Sequence, residues 1–335
     1  MSDNNDILSR EIVIAGKLAE NGVSVQVKSR AVAAMDRLLG SLADIPTAFA
    51  EGVASKKRVK TQIEERLLVA KAELAERKLM GIPSAADALL FDMMKEAGRK
   101  QINAAGVAVH TVEELKAFPS PSEQTQKEQT DPQEAVDEDW FNQFVRYAED
   151  ASSENLQQLW GRVLAGEINS PGRFSRHTLR FMAELDKETA QNCEFAAEYI
   201  VTDFIPHSNF WMENKPFMIA IDLARLGLIE GAAGKSPNRS FTIGPEGCFF
   251  QENGKHAIVC KGPVGTKFNV KAMPLTRLGI EVFSLLAVKD ETTSLRTLAK
   301  ILEKQSVDEI QLGTFEPEIN GIRFFESEVL FVRGT

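Results

Sequence analysis

Residues 119–139 read PSPSEQTQKEQTDPQEAVDED. The stretch carries three prolines, almost no apolar side chain, and seven acids against one lysine, for a charge of −6. Such a segment cannot bury enough apolar surface to offset its chain entropy. It reads as a flexible acidic linker that divides an N-terminal domain, 1–118, from everything after Trp140. With 335 residues and ~100–200 residues per domain, the chain has room for two or three domains.

Residues 1–118 read as a helical domain. A helix is expected over Arg30 to Leu42. A longer one runs from Lys56 to Leu79 with no Pro or Gly inside it. Its apolar residues Val59, Ile63, Leu67, Ala70 and Leu74 step by 4, 4, 3 and 4, close to a heptad seam. That seam fits a hairpin packed within the domain or a coiled coil between chains. Gly81-Ile82-Pro83 ends it. Ser84, with Asp87 three residues on, resembles a capping box opening a helix through Leu89, Leu90, Met93, Met94 and Ala97.

A helical module is expected over 140–210. Trp140, Phe141, Phe144, Val145 and Ala148 lie at helical spacing, as do Leu156, Leu159, Trp160, Val163 and Leu164 in a helix that reads as ending at Gly166. Ser175 and Asp186 cap two further helices. The aromatic stripe reads as core, one buried face per helix. Over 211–289 a helix from Pro216 to Leu226 precedes three short strands, Phe241–Ile243, Ala257–Cys260 and Lys267–Val270, and the segment Met273-Pro274-Leu275-Thr276-Arg277-Leu278-Gly279. Helix, "LxxLGLI", ribbon and "PLTxLG" form the pattern of a winged helix, with the ribbon as its wing. A small α/β tail fills 290–335, with a helix through Leu295, Leu298, Ala299 and Leu302 and strands around a turn at Asn320-Gly321. The fold class is mainly α with a small α+β part.

The block Leu159-Trp160-Gly161-Arg162-Val163-Leu164-Ala165-Gly166-Glu167, then Pro171-Gly172-Arg173-Phe174-Ser175, Thr178-Leu179-Arg180 and Leu185-Asp186, resembles an uncharacterised bacterial family. That family is a domain of unknown function with the pattern "LW..LLAGE…PG.FS..TL". The resemblance spans about residues 140–285. Similar proteins occur in prophages and variable genomic islands near abortive-infection genes, which implies a setting in anti-phage defence or a mobile element. It transfers no catalytic residue.

No catalytic signature stands out. His110, His177, His207 and His256 have no metal-ligand spacing, and Cys193, Cys248 and Cys260 match no zinc pattern and no closed disulfide set. Gly262-Pro263-Val264-Gly265-Thr266-Lys267 has the wrong spacing for a phosphate-binding loop. Glu167 is expected in a loop just past a helix end, capping or pairing with Arg173 or Arg176. No cofactor and no metal are expected. The thiols suit a reducing compartment. The N-terminal MSDNNDILSREIVIAG lacks the layout of a signal peptide, and no stretch of ~18 uncharged apolar residues exists. The expected location is the cytoplasm, with peripheral contact to the inner membrane as a further option.

Charge is more informative. The whole chain is −9, but residues 231–280 carry seven bases (Lys235, Arg239, Lys255, Lys261, Lys267, Lys271 and Arg277) against Glu246 and Glu252, for +5. A basic wing can hold phosphates, or it is a solvated ribbon. The helix before it, rich in Phe217, Met218, Ile219 and Ile221, lacks the polar side chains that read base edges. A second cluster, Lys56, Lys57, Arg58 and Lys60, suits a partner, an anionic membrane, nucleic acid or an ordinary solvated face. The expectation is a non-enzymatic interaction or sensor protein. Its partner would be a protein, phage-encoded or encoded by a neighbouring gene, and homo-oligomers are possible. The alternatives are a DNA-binding regulator using the wing and an enzyme of unrecognised type.

Overall fold

The computed structural model describes residues 25–39, 53–80, 85–117, 135–232, 236–318 and 321–333. They are mainly helical with two small antiparallel sheets, the fold class expected. Two compact units divide between Ala183 and Glu184.

The first unit contains α1 (Val25–Leu39), α2 (Val53–Leu79), α3 (Ala85–Ala117), α4 (Glu138–Asp150), α5 (Glu154–Asn169) and α6 (Arg176–Ala183). Asp137 caps α4 by accepting from the Trp140 N–H, and Ser153 caps α5 by accepting from the Leu156 N–H. Helix α3 is a helix of two halves. From Asn103 to Val109 every residue is buried, and this half packs against α4 and α5. The other half packs along α2. Ile63 of the expected α2 seam is buried where Gly98 of α3 leaves room for it, and Arg77 pairs with Asp87 at 3.4 Å. The two helices therefore run antiparallel as a hairpin, and the α2 seam meets α3 of the same chain.

The compact units do not follow the expected division at 119–139. Helix α3 precedes that stretch and α4 and α5 follow it, yet all three share one core. The acidic composition marks where apolar surface is missing. It does not say that the flanking helices, each with its own apolar face, stay apart. Residues 118–134 lie outside the described residues.

The second unit begins with α7 (Lys187–Ala197), capped by Asp186, and a short strand β1 (Phe204–Pro206). A 3-10 turn at Asn209–Met212 leads to α8 (Asn214–Arg225), which packs on α7. Gly227, just after α8, has φ +74°, a left-handed exit that suits glycine. Then come β2 (Asn238–Thr242), β3 (Cys248–Asn253), β4 (His256–Lys261), β5 (Lys267–Pro274), α9 (Arg277–Phe283), α10 (Glu291–Leu302), β6 (Glu309–Glu318) and β7 (Gly321–Val332). Thr276 caps α9 by accepting from the Gly279 N–H.

The strands expected to form one wing fall into two sheets, ordered β1-β5-β2 and β3-β4-β6-β7. Strand β4 pairs with β6, Lys261 opposite Glu309, so the expected tail shares a sheet with the expected wing. The cause is burial: Ile258 and Cys260 point into the same core as Ile310 and Leu312, and Leu295, Leu298, Ala299 and Leu302 of α10 complete it. Two strands were not expected, β1 and β3. Residues 204–206 lie in a stretch that reads as helical, and β3 carries the polar Gln251, Glu252 and Asn253.

Candidate interaction surfaces

The block that carries the family resemblance builds a packing module. Trp160 on α5 stacks on Tyr147 at 5.7 Å and meets Phe144 edge-on at 5.7 Å, while Trp140 stacks on Phe144 at 5.3 Å. Gly161 faces α3 so closely that a Cβ there would stand 2.6 Å from the Cβ of His110. Gly166 leaves room for the Phe174 ring, 2.6 Å from where its Cβ would be. Glu167, 1% exposed, sits inside α5 and not beyond its end. The helix continues to Asn169 because this buried carboxylate is satisfied by the next turn: the Gly172 N–H donates to Oε1 at 2.6 Å and the Phe174 N–H to Oε2 at 3.0 Å. Glu167 thus binds the backbone of the connecting turn, which differs from the expected cap of a helix end. Arg176 instead pairs with Asp137 and Asp139, and Arg173 lies over the Phe174 ring.

The basic residues do not converge. Arg239 is paired with Asp203, and its guanidinium lies 4.6 Å above the Phe204 ring. Lys261 pairs with Glu309 at 3.3 Å. Lys255 precedes β4 and its backbone N–H donates to Glu291. It lies six residues from Lys261, about 20 Å at strand rise. Arg277 pairs with Glu281 at 2.7 Å. Lys267 and Lys271 are both exposed on one face of β5, beside Asn238, Ser240 and Thr242 of β2. Lys235 lies outside the described residues. In the second cluster, Lys57 and Lys60 are exposed on α2, with Lys60 3.9 Å from Glu64. Lys56 and Arg58 occupy the same helix, and their side chains lie outside the described residues.

One serine–histidine pair had no sequence signal, because its members are 29 residues apart. Ser236 Oγ lies 2.7 Å from His207 Nδ1 and 2.7 Å from the Gly231 carbonyl oxygen. A carbonyl only accepts, so the serine proton goes to Gly231 and the ring nitrogen donates to Ser236. That is the reverse of a histidine activating a serine nucleophile. Burial, then Lys271, holds the His207 pKa below its ordinary value. No group of three or more metal-ligating side chains occurs among the described residues.

The arm formed by α2 and the first half of α3 is different in kind. Seven of the seventeen large apolar side chains that stand exposed among the described residues fall between 68 and 94, so the exposure is concentrated there. Leu89, Leu90 and Met93 are 63, 56 and 61% exposed. Leu68, Val69 and Met80 are exposed as well. A shallow groove of about 110 Å³ runs between the helices, lined by Leu74, Leu90 and Met94 beside the charged Glu73, Arg77 and Asp87. No helix among the described residues is long and apolar enough to cross a membrane.

Residues 110–205 match a family described as a protein of unknown function, DUF2806. The match runs from α3 to β1 and covers the packing module. No curated protein matches the chain, and no solved structure does.

Proposed function

We propose that this chain is a non-enzymatic interaction or sensor protein that docks a protein partner through the α2–α3 arm. The observation that carries the reading is the exposed apolar surface of Leu89, Leu90 and Met93. Clustered exposure of this kind on a soluble fold marks a contact surface. Anti-phage defence or a mobile element is the setting implied by the family resemblance, and the cytoplasm the place. The test is affinity capture of the tagged full chain from its host, with nuclease, before and during phage infection, in parallel with a Leu90→Glu/Met93→Glu form. A protein species, an untagged copy of the chain itself included, captured in stoichiometric amount by the natural chain and lost from the variant is the expected result. The same eluate from both overturns the reading.

A second reading, DNA binding by a winged-helix-like region, is favoured by the exposed Lys267 and Lys271 on the polar face of β2 and β5. They stand about 13 Å apart along the strand. Duplex binding that weakens steeply with salt and is lost in Lys267→Gln/Lys271→Gln supports it. Indifference to DNA at low salt overturns it.

A further inference from the structure

A helix in a two-helix hairpin needs one apolar face. The arm has more than that. Ile63, Ala70, Leu74, Phe91 and Met94 line the contact between α2 and α3, with Leu90 at its edge, yet Leu89 and Met93 lie elsewhere on α3, and Leu89, Leu90 and Met93 are all more than half exposed. The antiparallel register brings Val69 of α2 level with Met93 of α3, and Val69 is exposed too. A hairpin with a second apolar face is half of a four-helix bundle.

The observations also select the occupant. Residues 64–96 carry seven acids and five bases, intermixed. Such a surface neither attracts a polyanion nor repels an identical surface. Val69, Met80, Leu89, Leu90 and Met93 expose on the order of 100 Å² each. Two facing arms would then bury roughly 1,000 Å² from these side chains alone, and flanking residues bring this into the range of about 1,200–2,000 Å² for stable, specific interfaces. The groove beside Leu90 is about the size of one aliphatic side chain. It offers a socket for the same residues of a facing copy, as a self-complementary contact across a two-fold axis demands.

We infer that the partner of the arm is a second copy of this chain, and that two arms pack as a four-helix bundle with Leu90 and Met93 of each seated over the groove of the other. This rests on reading the arm as an interaction surface. The experiment is light scattering and sedimentation of the purified full chain over a wide concentration range. The expected mass is twice the chain's 37.0 kDa. Leu90→Glu/Met93→Glu is expected to weaken the dimer at least about a hundredfold, the scale of losing central contacts, with an unchanged circular dichroism spectrum. Met93→Leu keeps the dimer. Oxidative footprinting of the natural chain gives a readout that needs no variant: Met80 and Met93 are protected at high concentration and reactive when diluted.

A monomer at every concentration overturns the inference, as does a dimer that survives both glutamates. Protection of Met93 in a monomer also overturns it, and assigns the face to a segment of the same chain. If the chain is monomeric while host capture still loses its protein partner in the double variant, the second copy fails and the interaction reading stands. If capture is unchanged as well, both fail.

Discussion

The buried carboxylate of Glu167 accepts the backbone N–H of Phe174, seven residues further along the chain, at 3.0 Å. With the Gly172 N–H on its other oxygen, one side chain fixes the turn that joins α5 to α6. Glu167→Gln leaves one acceptor oxygen and sets an amide N–H₂ against a backbone donor. The expected cost is about 1–3 kcal/mol, read as a lower urea midpoint at constant m-value.

Gly161 lies where α5 crosses α3, and a Cβ there would meet the Cβ of His110 at 2.6 Å and its carbonyl carbon at 2.9 Å. Backbone cannot swing aside as a flexible side chain can. Gly161→Ala is therefore expected to destabilise the first unit by about 1–3 kcal/mol despite alanine's better helix propensity. Chemical denaturation followed by tryptophan fluorescence checks it, since Trp140 and Trp160 lie in that core.

Asp290 caps α10, and its carboxyl is held down at about 2, from an ordinary 3.8, by hydrogen bonds from Thr292 and then Thr293. Because the folded value is the lower one, the ionised group stabilises the fold above about pH 4, and this contribution fades as the pH falls from 4 towards 2. The natural chain is expected to exceed Asp290→Ala in urea midpoint at pH 7, with the gap closing below pH 4. A gap that stays constant to pH 2.5 contradicts this.

Burial pushes the thiols of Cys193 and Cys260 up to about 12, so neither supplies thiolate near neutral pH. Cys248, on β3, is partly exposed. A thiol reagent at pH 8 is expected to modify one cysteine in the native chain and all three in denaturant, with Cys248 as the native adduct by peptide mapping.

The helices were legible where their punctuation is local. Asp137 was not read as a cap, yet Ser175 and Asp186 were, because each precedes an amphipathic run by the spacing its hydrogen bond needs. Residues 56–79 were legible from the 4-4-3-4 seam. What was not legible is which apolar faces find partners. Leu89, Leu90, Met93 and Met94 read only as positions on a helix, and nothing in their spacing says that α2 covers just part of them. Glu167 was placed past the helix end because Gly166 is a common stop, and only the tertiary contact with Phe174 shows why the helix goes on. The charge of 231–280 was correctly counted, but charge along a chain does not reveal that Arg239, Lys261 and Arg277 each face an acid. His207 and Ser236 meet only through the fold.

The register Lys261 opposite Glu309 has a consequence for how the chain is made. As it leaves the ribosome, β3 and β4 can form a hairpin at once, but the strand that belongs beside β4 is translated 48 residues later. At ~5–20 residues per second, the nascent hairpin waits for seconds with a bare edge and with Ile258 and Cys260 uncovered. In that interval it is a template for any strand that passes, including the same hairpin on the next chain of a polysome.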